Sequence, residues 1–349
     1  MADLSSDQNN QPIVSIIIPH FNGEMIIRNC LESLQNISYE NIEVILVDNG
    51  STDNSITIIQ KDFPTVKIIK SPINRGYAGG CNLGAENTKG KYLVFLNNDT
   101  IQEPNWIGPL VNKMESNPNI SSVQPKILNA IHKDQFDYAG GSGGFLDKFG
   151  FPFARGRIFD TIEKDNGQYD NSCEIFWASG TAFITLKSIF QSMGGFDETL
   201  FAHFEEIDYH WKCKLAEYSI WVQPESVIYH IGGATLSYQS PKKTYLNHRN
   251  SFVLMLTNTS KGELIKYIIP RIAFQKISFF KDLITGNFSH AFAQFKAGFW
   301  ILFHLNYIIK KRNFIQSLSP KYNSNNFYPR SIVFDYYLFF KRRFTNLKF

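Results

Sequence analysis

Three times among the first hundred residues, a short apolar run rich in β-branched side chains stops at a polar cluster. Residues 14–18 run into Pro19-His20-Phe21-Asn22, residues 42–47 into Asp48-Asn49-Gly50-Ser51-Thr52-Asp53, and residues 92–96 into Asn97-Asn98-Asp99. Apolar runs of this length without polar alternation suit strands buried on both faces, as in a parallel sheet covered by helices. Ligands of such sheets bind beyond the carboxyl ends of the strands. The three polar clusters are therefore expected to meet along one edge and form a binding site.

The intervening pattern alternates. Ile26, Ile27, Cys30, Leu31 and Leu34 fall at helical spacing within 24–34, residues 55–63 read as a second helix, and 66–69 as a short strand. A turn at 74–80 leads into a helix through Asn82, Gly84 and Ala85. A further helix is expected over 106–115 and a strand over 121–124. This is the order of a doubly wound α/β domain. Residues 139–171, rich in Gly and Phe and without a period, are expected to form a long surface loop or a segment ordered by ligand. Gly140-Gly141-Ser142-Gly143-Gly144 has no strand before it and no Lys-Ser/Thr after it, which argues against a phosphate loop. Beyond it, a strand over 182–185, a helix over 204–216, and short strands over 220–222 and 227–229 are expected.

The formal net charge of +4 conceals a split. Residues 242–349 hold 18 of the 35 Lys and Arg against three acids, Glu263, Asp282 and Asp335, a net of +15 that leaves −11 for residues 1–241. Within 264–284, Lys266, Arg271, Lys276 and Lys281 are threaded through Ile, Phe and Leu. Over 291–311, the apolar run 297–309 is interrupted by His304 and Asn306, and it falls short of the ~20 residues that a spanning helix needs. Basic amphipathic helices of this kind lie in the membrane interface. Residues 241–349 are thus expected to be helical and to associate with an anionic membrane surface, a soluble helical subdomain being the plainer alternative. Interleaving with long aliphatic runs disfavours nucleic acid as the partner. Residues 1–11 are polar, without the basic and apolar regions of a secretory signal, and are expected to be a disordered tail. Four scattered cysteines with no CxxC pair fit a reducing, cytoplasmic setting.

Asp99 closes a buried run, where a carboxylate can hold Mg²⁺ or Mn²⁺ together with phosphate oxygens, or cap the next element. Phe204-Glu205-Glu206-Ile207-Asp208 places three acids at a helix start. They could simply complement the helix dipole. Their apolar neighbours Phe201, Phe204 and Trp211 point instead to partial burial, which raises carboxyl pKa values and suits a general base. His230 ends a strand, and a lone histidine there is more often structural than a ligand.

Taken together, residues 14–22, 47–53, Asn74-Arg75-Gly76 with Asn82 and Gly84, Asn97-Asn98-Asp99, Ser179-Gly180, Gly194-Gly195-Phe196-Asp197, residues 205–208 and His230-Ile231-Gly232-Gly233 closely resemble family 2 glycosyltransferases with the GT-A fold. The resemblance extends over roughly residues 13–255, Arg249-Asn250 included, and bacterial rhamnosyltransferase-like and galactofuranosyltransferase-like members are nearest. It implies a Rossmann-like α/β catalytic domain over 12–240, with a mostly parallel central sheet flanked by helices, and a C-terminal basic helical extension over 241–349.

Carried over by position, the resemblance implies that Pro19 and Phe21 line the nucleotide base, with Phe21 offering a stacking face. Asn22, Asp48, Asn49, Asn82, Asn97 and Asn98 would complete the nucleotide site, and Arg75 and Gly76 would lie near the diphosphate or ribose. Asn49 stands where many relatives carry an Asp that accepts the pyrimidine N3–H, a bond the amide oxygen can also accept. Asp99 matches the last, metal-binding acid of the family's DXD motif, whose first acid is Asn97 here. His230 matches a position that supplies a second metal ligand in some relatives. Glu206 matches the catalytic base, with Glu205 and Asp208 as alternatives. Trp177, Ser179 and Gly180 are candidate sugar or acceptor contacts, a core role for Trp177 being equally compatible.

The implied reaction is a metal-dependent, inverting displacement. It would move a sugar from a nucleotide-diphosphate sugar (a UDP- or dTDP-sugar, dTDP-rhamnose included) to a hydroxyl of a lipid-linked or cell-envelope glycan at the inner face of the cytoplasmic membrane. A nucleotidyltransferase is the first rival, but it would carry a Gly-rich basic loop where this chain has Pro-His-Phe-Asn. A sugar-nucleotide-binding protein without turnover is the second, and Asn97 in the metal motif would suit it.

Overall fold

The computed structural model describes residues 11–232, 240–318 and 327–349; the expected N-terminal tail, save Gln11, and Gly233 lie outside them. In chain order the elements are β1 (Val14–His20), α1 (Glu24–Leu34), β2 (Ile42–Asp48), α2 (Ser55–Asp62), β3 (Lys67–Lys70), α3 (Gly76–Glu86), β4 (Tyr92–Leu96), β5 (Thr100–Gln102), α4 (Ile107–Glu115) and β6 (Ile120–Asn129). Four very short strands follow, β7 (Gly144–Leu146), β8 (Pro152–Ala154), β9 (Arg157–Ile158) and β10 (Thr161–Ile162). Then come β11 (Cys173–Ile175), β12 (Ala182–Leu186), α5 (Lys187–Ser192), a 3₁₀ turn (Glu198–Leu200), α6 (Glu205–Leu215) and β13 (Ser219–His230). The C-terminal part adds α7 (Pro241–Asn258), α8 (Lys261–Ile284), α9 (Phe288–Phe303), α10 (Leu305–Leu318) and α11 (Ile332–Tyr337).

Among the described residues one nine-stranded sheet runs β11-β13-β6-β12-β4-β1-β2-β3, with β5 beside β13. The β4-β1-β2-β3 half is parallel throughout, so the polar clusters ending β1, β2 and β4 do share an edge. Successive side chains of a strand point to opposite faces. Ile16 and Ile18 of β1 accordingly pack with Ile27 and Leu31 of α1, whereas Ile17 packs with Ala78 and Cys81 of α3. All three isoleucines are fully buried, each stabilising the fold by roughly 1.5–3 kcal/mol. Two-sided burial is thus the reason the run is uninterrupted by polar residues.

Three expectations are corrected. Residues 139–171 form neither a surface loop nor a patternless segment: β7 to β10 make a small antiparallel sheet. Its turn is organised by Asp147, whose Oδ1 accepts from the backbone N–H groups of Phe149 and Phe151, both at 2.9 Å, and whose Oδ2 accepts from Ile332 at 3.0 Å. Strands of two and three residues are too short to show a period. The two strands expected over 220–229 are one, β13, with its register to β6 interrupted between Gln223 and Val227. The helix expected over 291–311 is two, α9 and α10, parted at His304.

The C-terminal helices are joined to the rest by a core of their own. Phe176, Trp177, Ile207 and Trp211 pack with Val253 and Leu254 of α7, Ile301 of α9, and Ile308 and Ile315 of α10. No helix among the described residues is long and apolar enough to cross a membrane.

Candidate active site

The parallel edge is built by loops that lock one another. Asn22 donates its backbone N–H to Ser51 Oγ at 3.0 Å and accepts at Oδ1 from the N–H of Thr52 at 2.8 Å. Asp48 Oδ1 accepts from the N–H of Ser51 at 2.8 Å. Asn22 and Asp48 therefore shape the loops. His20 and Asn98 bond at 2.9 Å and tie the end of β1 to that of β4. Above them Phe21 stands with an exposed ring.

Asn49 is buried between these strands and α3. Its amide nitrogen donates to the Gly76 carbonyl at 3.2 Å, while its Oδ1 has no partner. A Cβ on Gly80 would stand 2.8 Å from that nitrogen and 3.0 Å from Pro19 Cβ, so the helix lies against the pocket because glycine lets it. The result is a single unsatisfied acceptor beside Pro19, with Phe21 at the rim. A burial site leaves few polar atoms unpaired, and this one matches a ligand N–H.

Two expected nucleotide contacts have partners within the protein. Arg75 Nη2 reaches both oxygens of Glu198, at 2.8 and 2.9 Å. Asn82 brackets the backbone of Phe196, donating to its carbonyl at 2.8 Å and accepting its N–H at 3.0 Å. Both fasten α3 to the 194–200 segment. Gly76, at φ +71°, sits where a Cβ would meet the Phe201 carbonyl at 2.3 Å.

At the end of β4, Asn97 bonds to the Thr181 carbonyl through its N–H at 2.9 Å, which joins this edge to the start of β12. Asp99 Oδ1 lies 3.0 Å from His230 Nε2, and the other ring nitrogen of His230 lies 2.9 Å from Asp137 Oδ1. Burial lowers the pKa of His230, but the carboxylates of Asp137 and Asp99 outweigh it and hold the group at about 10. A histidine whose rear nitrogen is fixed by a carboxylate presents the other nitrogen forward, the arrangement metal-ligating histidines adopt. That forward nitrogen, Nε2, meets Asp99 Oδ1, so a cation would enter between them by displacing the Nε2 proton. The pair therefore fits a divalent cation. Among the described residues no third His, Cys, Asp or Glu joins them, which leaves the remaining positions to water and diphosphate oxygens.

Across the cleft stands the first turn of α6. Gly180 and the Tyr77 hydroxyl, which donates to the Gly180 carbonyl, lie beside the Glu206 carboxyl. Oε2 of Glu206 and Oε2 of Glu205 are both buried without partners. Burial pushes Glu206 up to about 7, against the pull of backbone N–H groups at the helix start. Glu205, more deeply buried and facing Glu206, is raised well above the carboxylate range. The turn before them is strained: Phe201, His203 and Phe204 have φ of +66°, +67° and +74°. Each non-glycine residue held there costs of order 1–3 kcal/mol, and such residues collect at active sites.

Asp208, the third acid of the cluster, points away. Its Oδ1 lies 3.1 Å from Lys311 Nζ and accepts from Asn258 at 3.0 Å, and its Oδ2 lies 3.6 Å from Lys212 Nζ. Lys311 also meets Asp197 at 2.6 Å. A base already committed to two cations is ill suited to take a substrate proton. Trp177 is likewise buried, with its indole N–H donated to the Phe145 carbonyl at 3.0 Å, and it offers no face to a sugar. Ser179 is held by Gln124 and the Ala139 carbonyl, which positions Gly180.

A model of the family described as Glycosyl transferase family 2 matches residues 15–190. The chain belongs to that family. An uncharacterized glycosyltransferase of Haemophilus influenzae is 33% identical over 128 residues, 36% of this chain and 40% of its own length. The O-antigen biosynthesis protein RfbC of Myxococcus xanthus is 28% identical over 193 residues, 54% of this chain and 15% of its own. The matched part is about two fifths or less of the length of these curated relatives. Among solved structures, the mannosyltransferase PcManGT from Pyrobaculum calidifontis, in complex with GDP-Man and Mn²⁺, superposes with a TM-score of 0.53 at 12% identity, over 89% of this chain and 86% of that one. GalNAc-T7 with UDP, GalNAc and Mn²⁺ gives 0.54 at 16% identity, over 75% and 55%. These likenesses establish a GT-A fold for this family 2 chain.

Asp137, Tyr77 and the pair Arg249-Asn250 were given no role from sequence. Asp137 lies between the strand expected at 121–124 and the stretch 139–171, in a segment with no pattern to mark it as the partner of His230. Arg249 and Asn250 lie in a helix of mixed polarity, and the resemblance that includes them is the available signal.

Proposed function

We propose that this family 2 chain transfers a sugar from a nucleotide-diphosphate sugar to a hydroxyl of a lipid-linked or envelope glycan, with inversion. One observation carries the reading: the Glu206 carboxyl, its Oε2 unpaired, lies against Gly180, whose neighbour Thr181 holds Asn97 by its carbonyl, and two residues beyond Asn97 stands Asp99, paired with a His230 that Asp137 orients from behind. Glu206 takes the proton of the incoming hydroxyl as its oxygen bonds to the anomeric carbon. The bond from that carbon to the diphosphate oxygen breaks, and the nucleoside diphosphate leaves with the electron pair. Mg²⁺ or Mn²⁺ held by Asp99 and His230 would offset the charge growing on the diphosphate. Asn49 Oδ1 suits the N3–H of uracil or thymine, which favours a UDP- or dTDP-sugar, dTDP-rhamnose among them.

The decisive experiment replaces the base. Glu206→Gln should lower transfer by about 10²–10⁴-fold, the usual contribution of a placed base, while UDP or dTDP still binds. Turnover near the wild-type rate would remove Glu206 from the role. A panel of nucleotide sugars, read by released diphosphate, identifies the donor.

The partner surface is an anionic bilayer at the cytoplasmic face. Phe288, Phe292, Phe295, Phe299 and Phe303 recur every three or four residues along α9, and all are exposed. Ile265, Ile269, Ile272, Phe280 and Ile284 form a second exposed stripe on α8. Contiguous apolar surface of this extent marks an interaction site. The net charge of +15 over 242–349 selects an anionic lipid surface as its occupant. In this reading residues 12–240 carry the chemistry, and 241–349 bring it to a lipid-linked acceptor.

A further inference from the structure

We propose that Arg249 and Asn250 of α7 are positioning residues for the reaction: they set the catalytic carboxylate by clamping the strained turn that precedes α6. The proposal rests on Glu206 being the base. Asn250, fully buried, directs its amide nitrogen at three backbone acceptors of the turn, the carbonyls of Leu200 at 3.0 Å, Ala202 at 3.1 Å and His203 at 2.7 Å. Arg249, also buried, gives Nη2 to the carbonyls of Thr199 at 2.8 Å and Leu200 at 3.0 Å. Its Nε donates to Asn250 Oδ1 at 2.8 Å, which fixes the way the amide faces.

The clamped segment is the one where Phe201, His203 and Phe204 are left-handed. Such backbone persists only where its surroundings over-determine it. On its other side the Phe201 carbonyl accepts from the Ala78 N–H at 3.2 Å, so the turn is gripped between the donor-side helix α3 and α7. The Phe204 carbonyl then accepts the Asp208 N–H at 2.9 Å and begins α6. A shift of the turn is therefore a shift of Glu205 and Glu206. The guanidinium of Arg249 is itself backed by Trp300 of α9, 4.9 Å from the ring centre.

The test uses the full chain and whichever of UDP-galactose, UDP-N-acetylglucosamine or dTDP-rhamnose it hydrolyses fastest, water standing in for the acceptor. Asn250→Ala and, independently, Arg249→Gln should lower kcat by about 30- to 100-fold, the scale expected when a reacting group is misplaced by an ångström. Donor KM and the affinity for the free diphosphate should stay within about threefold, and the acid limb of the kcat–pH profile should move. On a Glu206→Gln background the same substitutions should cost less than about threefold more, because they act through that carboxylate. A folded variant with kcat within threefold of wild type overturns the proposal. So does a loss that is fully additive with Glu206→Gln, or failure of both variants to fold, since the pair would then be structural. Undiminished turnover by Glu206→Gln alone would instead overturn the base assignment.

Discussion

At the scale of single residues, the site works through groups left unpaired. Glu206, held near 7 by burial, is neutral below that pH and cannot accept a proton there. At saturating donor and acceptor, kcat should rise about tenfold per pH unit below 7 and level off above it; a profile flat down to pH 5 would exclude Glu206 as the base. Asp137 makes no contact with the cation in this reading, yet it orients His230. Asp137→Asn should raise the Mn²⁺ concentration needed for half-maximal activity by about 10–100-fold. EDTA should stop transfer and Asp99→Ala should mimic it; full activity in EDTA would dismiss the cation. Asp99 and the 205–208 acids stand out in the sequence because they close or open strongly patterned elements, whereas the choice of His230 and of Glu206 among them comes from the family resemblance alone. Asp137 does not stand out, because it lies between β6 and β7, where its neighbours Gln135 and Phe136 make only isolated bridges that leave no period.

At the scale of elements, hydrophobic patterning located β1, β2, β4 and α1 to within a few residues, since each buries its side chains against a covering layer. Patterning failed where burial is shared differently. Helix α7 falls within the 241–349 expected to be helical but shows no amphipathic pattern of its own, because Leu246, Val253 and Leu254 are interleaved with the buried polar residues Arg249, Asn250, Ser251, Thr257 and Asn258. In α8 and α9 the pattern is inverted, with large apolar side chains outward. Those stripes give a direct test. Phe295→Ser with Phe299→Ser should cut flotation of the full chain with phosphatidylglycerol-containing liposomes by at least tenfold while diphosphate release in solution continues. Equal flotation would dismiss the stripe as a lipid contact.

At the scale of the whole molecule, helix α6 and the C-terminal helices share buried charge. Lys311 of α10 stands between Asp197 and Asp208, and all three are largely buried. Removing the cation takes from Asp197 its ion-pair partner and leaves Asp208 only the more distant Lys212, and breaking a buried pair in this way costs about 3–5 kcal/mol. Lys311→Met should lower the urea midpoint accordingly and reduce activity with it; an unchanged midpoint would show the network to be dispensable. Deleting residues 260–349 should therefore damage the enzyme itself, so lipid binding is better tested by surface substitutions than by truncation.

The same ion network has a consequence for biogenesis. Asp208 leaves the ribosome 103 residues ahead of Lys311, an interval of roughly 5–20 s at 5–20 residues per second. During that time the nucleotide-side strands are already made, while α6 still lacks its counter-charge and the α7 clamp arrives only in between. The nascent chain can shape a donor pocket before it can hold its proposed base in register, so competence for transfer is timed to the emergence of the C-terminal helices.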